Sequence, residues 1–253
     1  LVNLVIVALI LVGGIGFIVW DDVARNKWHF KRYLLHSKIV LTVTFLLTVI
    51  GTVLFLLTEN NAAFAGMSPL EKVLGALFSA VTPRTAGFNS VDTAALSNSG
   101  KLITMVMMFI GGPGSTAGGV KTTSVIVLLF YAGAMVLNKE DINLFGRRLT
   151  DEVVKKANAV VIINATLTIV ATVIIMALQP LLNFEDVLFE VLSAIGTVGM
   201  TVGITRDLDI IARVILIVLM YCGRLGSLSF ALVFAQKNTS APMRQPQEKI
   251  IVG

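Results

Sequence analysis

The sequence predicts an all-α integral membrane protein assembled from repeats of a long helix, a short helix, a loop and a second long helix. Three observations carry this. The 253 residues are 56% hydrophobic and 14% charged, with a mean hydropathy of +0.88, which is not the composition of a soluble domain. Apolar runs of membrane-crossing length recur along the chain, and a glycine-containing frame appears twice, at Met108 and again at Met220.

Crossing a hydrocarbon core takes roughly 20 helical residues. Five runs qualify: Leu1 to Trp20, Ile39 to Leu57, Leu102 to Leu137 with a glycine-rich break, Ala157 to Leu178, and Ile210 to Ala235. Leu70 to Val81 and Phe184 to Ile195 are about 12 residues each, the length expected of re-entrant pieces that need burial inside protein. Orientation follows the cations, which concentrate in cytoplasmic loops near spans. Most of the 20 lysines and arginines fall on one side: Arg25, Lys27, Lys31, Arg32 and Lys38, then Lys139, Arg147, Arg148, Lys155 and Lys156, then Lys237, Arg244 and Lys249. The alternating loops set Lys72, Arg84, Lys101, Arg206 and Arg213 against Glu59, Glu71, Asp92, Glu185, Asp186, Glu190, Asp207 and Asp209. The outer mouth is thus expected to be acidic, which concentrates cations. The net charge of +5 is topology bias and argues against a nucleic-acid partner. Cys222 reads as a buried thiol, His29 and His36 as solvated positives, and Met105, Met107 and Met108 as packing or lipid-facing residues.

The repeat is visible in detail. MFIGGPGS (Met108 to Ser115) and MYCGRLGS (Met220 to Ser227) share one frame, and at the same offset TAGF (Thr85 to Phe88) meets TVGM (Thr197 to Met200). Upstream, LFSAV meets VLSAI after a two-residue slip, and TVIGTVLF (Thr48 to Phe55) resembles TIVATVII (Thr168 to Ile175). VGGIG (Val12 to Gly16) echoes IGGPG (Ile110 to Gly114), so the first span reads as the closing helix of an earlier unit and the sequence as a piece of a longer protein. The expected divisions are 1–20, a cytoplasmic loop 21–37, a third unit 38–138, a loop 139–156, a fourth unit 157–237 and a cytoplasmic tail 238–253.

Each T-x-G loop follows a non-spanning apolar segment. A short helix that stops inside a membrane leaves backbone groups that only protein or a water-filled cavity can satisfy, its C-terminal dipole favours a nearby cation, and loop carbonyls can replace an ion's hydration shell. The stretch GGPGSTAGGVKTTS (Gly111 to Ser124) misses the phosphate-cradling spacing by one residue, Val120 intervening before Lys121 and Thr122. It reads instead as a broken helix lining a cavity, a plug below the first loop. Lys121 belongs either to that plug or to the cytoplasmic vestibule. Arg224 lies about 14 residues into its run, roughly 20 Å at 1.5 Å per residue, a mid-membrane charge that faces a cavity or a partner. No catalytic grouping or metal-ligand spacing stands out, so no enzyme activity is expected; the competing class is an alternating-access secondary carrier.

TPRTAGFNSVD, GGPGSTAGGVKTTS, GTVGMTVGIT and YCGRLGSLSFALVFAQK together resemble the last two repeats of the Trk/Ktr/HKT superfamily of potassium transporters, most closely the membrane subunit of bacterial Ktr systems. The resemblance implies units of outer helix, re-entrant pore helix and inner helix around a potassium-channel-like pore in the bacterial plasma membrane, with the C-terminus cytoplasmic. It implies that Thr85, Ala86, Gly87 and Phe88 form one filter strand and Thr197, Val198, Gly199 and Met200 another, with potassium bound by backbone carbonyls. It makes Gly111, Gly112, Pro113, Gly114, Ser115, Thr116, Ala117, Gly118 and Gly119, with Lys121 and Arg224, a gate. It further implies a homodimer docked on a cytosolic KtrA-like ring that binds ATP, ADP or NAD, no cofactor in this chain, and uptake that is passive or sodium-dependent. Phe88 and Met200 stand where potassium channels carry tyrosine, which implies weaker selectivity over sodium.

Overall fold

The computed structural model describes residues 2–27, 29–113, 118–139 and 141–226. Gly114, Ser115, Thr116 and Ala117 of the expected gate, the end of the expected fourth unit from residue 227, and the tail 238–253 lie outside the described residues. The chain runs through α1 (Val2–Gly14), α2 (Phe17–Asn26), α3 (Leu35–Glu59), α4 (Pro69–Val81), α5 (Asn98–Ile110), α6 (Thr122–Val136), α7 (Asp151–Leu178), α8 (Phe184–Ile195) and α9 (Ile210–Leu225). A two-stranded antiparallel ribbon, β1 (Asn143–Leu144) with β2 (Arg147–Arg148), joins α6 to α7. The fold is otherwise all-α, as expected of an integral membrane protein, and long helix, short helix, loop, helix occurs twice, as α3–α4–α5 and α7–α8–α9.

Among the described residues, α3 and α7 are long and apolar enough to cross a membrane, with hydropathies of 2.6 and 2.5. The expected span Leu1 to Trp20 is not one straight helix: α1 and α2 meet at 91°, so they pass the same test only as a bent pair. The reason is Gly16, which at φ 87° leaves the helical region and starts α2 in a new direction. The run Leu102 to Leu137 divides at its glycines into α5 and α6, as expected. Three inner helices therefore bend or end within the glycine motif: α1 before Gly16, α5 at Gly111 (φ 65°) and α9 before Gly226 (φ 87°).

Four threonine hydroxyls inside the long apolar helices are satisfied within their own helix. Thr48 and Thr52 donate to the carbonyls of Thr44 and Thr48, and Thr168 and Thr172 to those of Asn164 and Thr168. Three of the apolar clusters that hold the short helices join them to the long helices around them. Phe55, Phe64, Ala76, Ala80 and Met107 join α3, α4 and α5; Ile175, Val187, Val191, Ala212 and Leu216 join α7, α8 and α9; Val7, Phe78 and Val81 set α1 against α4.

Both units also carry a clasp from the end of the long helix to the start of the inner helix. In α3, Glu59 is fully buried, and its carboxylate accepts the Ser97 amide at 3.1 Å and the Ser97 hydroxyl at the cap of α5. Just past α7, Gln179 accepts the Asp209 amide at 2.9 Å at the cap of α9 and donates to the Asp207 carbonyl at 3.0 Å. Glu59 and Glu190 are thus buried rather than solvated at an acidic mouth, and Arg84 is buried with its Nη1 donating to the Thr44 carbonyl at 3.2 Å. These three correct the expected division of loop charges, because each side chain serves as a hydrogen-bonded tie between elements. Cys222 and the methionines Met105, Met107 and Met108 are buried in the interior.

Candidate functional site

The short helices aim their C-termini at the two T-x-G loops. α4 gives way at Thr82 and reaches Thr85 to Phe88; α8 gives way at Gly196 and leads directly into Thr197 to Met200. The loops share one backbone pattern. φ is 65° at Thr85 and 73° at Gly87, 53° at Thr197 and 86° at Gly199, while Ala86, Phe88, Val198 and Met200 stay out of the positive region. Positive φ is costly at a β-branched residue, so the two threonines must be held there.

The amides do part of that holding. Ala86 and Gly87 donate to the Thr82 carbonyl at 3.2 and 3.3 Å, Thr197 to Ala194 at 3.0 Å, and Val198 to Ser193 at 2.9 Å. The other end of each loop is tied by a hydroxyl: Thr82 Oγ1 donates to the Phe88 carbonyl at 2.6 Å, and Ser193 Oγ to the Met200 carbonyl at 2.6 Å. The donors thus face the helices. Among the described residues, none of the carbonyls of Thr85, Ala86, Gly87, Thr197, Val198 and Gly199 accepts a hydrogen bond. Thr197 Oγ1 is buried and also without a partner among the described residues.

The two loops meet. A Cβ added at Gly87 would stand 2.2 Å from the Val198 carbonyl oxygen, so only glycine permits this approach. Met105 and Met108 of α5 pack with Phe189, Leu192, Val198 and Met200, which binds the inner helix of one unit to the short helix and loop of the next. Lys101 Nζ reinforces that contact with an ion pair to Asp186 Oδ1 at 2.8 Å, both side chains only 15% and 16% exposed. Burial raises the Asp186 carboxyl, but hydrogen bonds from Lys101 and Asn183 outweigh it and hold the group below the usual carboxylate range.

The glycine-rich segment lies against the second loop. Its ends are drawn together: Thr122 Oγ1 and N donate to the Gly111 and Gly112 carbonyls at 3.3 and 3.4 Å, and a Cβ at Gly111 would stand 2.3 Å from the Val120 oxygen. Gly111, Gly112, Pro113 and Gly118 are buried, and Lys121 is exposed at the cap of α6. A Cβ at Gly118 would be 2.1 Å from Thr197 Oγ1, and one at Gly119 would be 3.0 Å from the Gly196 Cα. Gly119 N–H donates to the Gly223 carbonyl at 3.2 Å, and a Cβ at Gly223 would stand 2.0 Å from the Ile195 oxygen. Glycine segment, loop and α9 therefore touch through bare backbone.

Arg224 follows Gly223 in the last turn of α9. Gly226 ends the described part of that helix, so the Arg224 cation stands near the negative end of its dipole. On the other side of the first loop, a cavity of about 510 Å³ opens between α1 and Arg84, Thr85, Ala86 and Phe88. The sequence reading missed Thr82, Ser193, Gly196 and Gly223 as parts of the site. The last was visible as a shared position of the repeated frame; the hydroxyls carry no sequence signal that separates them from ordinary helix threonines and serines.

Residues 1–244 match the TrkH family of cation transport proteins. Potassium/sodium uptake protein NtpJ of Enterococcus hirae is 39% identical over 99% of this chain and 57% of its own length. Ktr system potassium uptake protein B of Bacillus subtilis is 37% identical over 100% of this chain and 57% of its own. The crystal structure of the potassium transporter TrkH from Vibrio parahaemolyticus superposes with a TM-score of 0.75 at 22% identity, over 92% of this chain and 52% of that one. The chain spans somewhat more than half the length of the curated relatives it matches. It belongs to the TrkH family of cation transport proteins.

Proposed function

We propose that this chain supplies two sides of a potassium-translocating pore, as the pore-forming membrane subunit of a Ktr-type uptake system. The observation that carries the reading is the apposition of two T-x-G loops in which the N–H groups of Ala86, Gly87, Thr197 and Val198 turn back onto the short helices while the carbonyls of Thr85, Ala86, Gly87, Thr197, Val198 and Gly199 accept no hydrogen bond among the described residues. Alternating positive and negative φ along a short segment is how successive peptide groups come to face one side, and carbonyls so arrayed can replace the water around a monovalent cation. The C-terminal dipoles of α4 and α8 add negative potential at the same place. The buried, unpartnered Thr197 hydroxyl gives the inner end of the second loop one further oxygen. Thr85 to Phe88 and Thr197 to Met200 are the two filter strands on this account.

Gly111, Gly112, Pro113, Gly118 and Gly119 act as a gate because they press on Thr197, Gly196 and Gly223 directly beneath the second strand. Arg224, beside Gly223, places a cation barrier at the same level, with Lys121 at the segment's exit. The divisions 38–138 and 157–237 are the third and fourth pore repeats, and 1–20 is the inner helix of the second. The chain performs no catalysis; potassium is its substrate, the membrane is the bacterial plasma membrane with the C-terminus cytoplasmic, and a homodimer docks on a cytosolic ring that binds ATP or ADP. The test is uptake by the full-length protein in cells lacking other potassium uptake. Gly87→Asp and Gly199→Asp abolish uptake while the protein still inserts in the membrane; normal uptake by either inserted variant overturns the reading.

A further inference from the structure

Glu190 lies on α8, behind the second loop, and is 6% exposed. Its carboxylate accepts the Thr201 hydroxyl, and Thr205 Oγ1 stands 3.0 Å from its other oxygen and 2.8 Å from Thr201 Oγ1. Thr201 Oγ1 in turn accepts the Gly203 amide at 2.9 Å. Among the described residues no lysine or arginine forms an ion pair with Glu190. A buried carboxylate without a cation is expensive and is tolerated only where hydrogen bonds satisfy it. Here all of them come from the segment that follows Met200.

The other unit has no such device. Aligning LFSAV with VLSAI sets Ala76 opposite Glu190, and Ala76 is fully buried among apolar residues of α3, α4 and α5. The residues after Phe88, Asn89 and Ser90, are exposed. Both loops are tied to their short helices by amides and by one hydroxyl, at Phe88 and at Met200, but among the described residues only the second is also tied beyond that point, at Thr201 and Thr205.

We propose that Glu190 is a positioning residue that fixes the second T-x-G strand and thereby sets how sharply the protein discriminates potassium from sodium. This rests on the filter reading given above. Sodium is smaller than potassium, so carbonyls must close in to replace its water equally well. A strand held by hydrogen bonds to a buried acceptor on its short helix resists following. The first strand lacks these additional ties and follows more readily, so the discrimination resides mainly on the Glu190 side.

The experiment uses the full-length protein in proteoliposomes, with rubidium uptake as the flux and unlabelled potassium and sodium as competitors. Glu190→Ala and Thr201→Val, which remove the carboxylate and the hydroxyl it holds, are expected to lower the potassium-over-sodium competition ratio about tenfold, equivalent to roughly 1.4 kcal/mol. Glu190→Gln, which keeps an acceptor for Thr201, retains most of that ratio. A role in folding alone would lower the amount of reconstituted protein and leave the ratio of the remainder unchanged. Wild-type ratios in reconstituted Glu190→Ala and Thr201→Val, or a Glu190→Gln variant as indiscriminate as Glu190→Ala, overturn the proposal. If Glu190→Ala does not accumulate, Thr201→Val decides alone. Gly199→Asp separates the two levels: rubidium flux surviving that change sinks the filter reading itself, whereas its loss beside unchanged ratios sinks only the role of Glu190.

Discussion

Gly87 and Gly133 show how differently one residue type is used in this chain. Gly87 has φ 73° and no room for a Cβ beside the Val198 oxygen, while Gly133 lies within α6 with nothing within 4 Å of its would-be Cβ. Gly87→Ala is therefore expected to abolish rubidium flux, since it combines a left-handed strain of roughly 1 kcal/mol or more with a backbone clash. Gly133→Ala leaves flux unchanged and gains up to about 1 kcal/mol of helix stability, measured as a raised Tm in detergent. Gly118→Ala presses on Thr197 and is expected to impair flux as Gly87→Ala does. The T-x-G and G-G-x-G positions were legible in the sequence because positive φ and bare backbone contact leave glycine as their mark. Glu59, Arg84 and Glu190 were not, because a charge in a loop-rich stretch reads as solvated until its partners are known, and those partners lie 38 residues away for Glu59 with Ser97, 40 for Arg84 with Thr44, and 11 and 15 for Glu190 with Thr201 and Thr205.

Elements are held in place by ties that the periodicity of the sequence does not reveal. The clasps at Glu59 and Gln179 fix where each inner helix starts, and the Lys101–Asp186 pair fixes α5 against α8. Lys101→Ala leaves the largely buried Asp186 without its cation and is expected to cost about 1–3 kcal/mol, read as a lowered Tm. Because the folded state holds the Asp186 carboxyl below its ordinary value, the tie contributes fully above the unfolded carboxylate pKa near 3.9 and is lost as pH falls through the lower folded value. The Tm gap between wild type and Lys101→Ala accordingly persists at pH 7 and closes only in strong acid. The proposed gate makes a separate prediction: shortening Gly111 to Gly119 removes backbone that presses on Gly196, Thr197 and Gly223, and raises the flux of folded protein. The short helices and the break between α5 and α6 were legible from run length and glycine spacing. The 91° bend at Gly16 was not, since an apolar run to Trp20 looks continuous, and the ribbon at Asn143 to Arg148 carries too few residues to show a period.

At the scale of the whole molecule, the two units face each other through their loops, and α1 stands against the first of them across the cavity beside Thr85. The duplication was readable from sequence because the loop and glycine frames keep one offset; the pairing of the loops was not, because it depends on Gly87 meeting Val198 across the unit boundary. The chain covers 57% of the curated relatives, and on the proposed reading it contributes two strands of an ion path. The central claim is that a cation passes between Thr85 to Phe88 and Thr197 to Met200. Its most direct test is anomalous diffraction from crystals of the full-length protein grown in rubidium. The account predicts anomalous peaks between these two loops, within coordination distance of their carbonyl oxygens. Peaks confined to other parts of the molecule, with none between the loops, would contradict it.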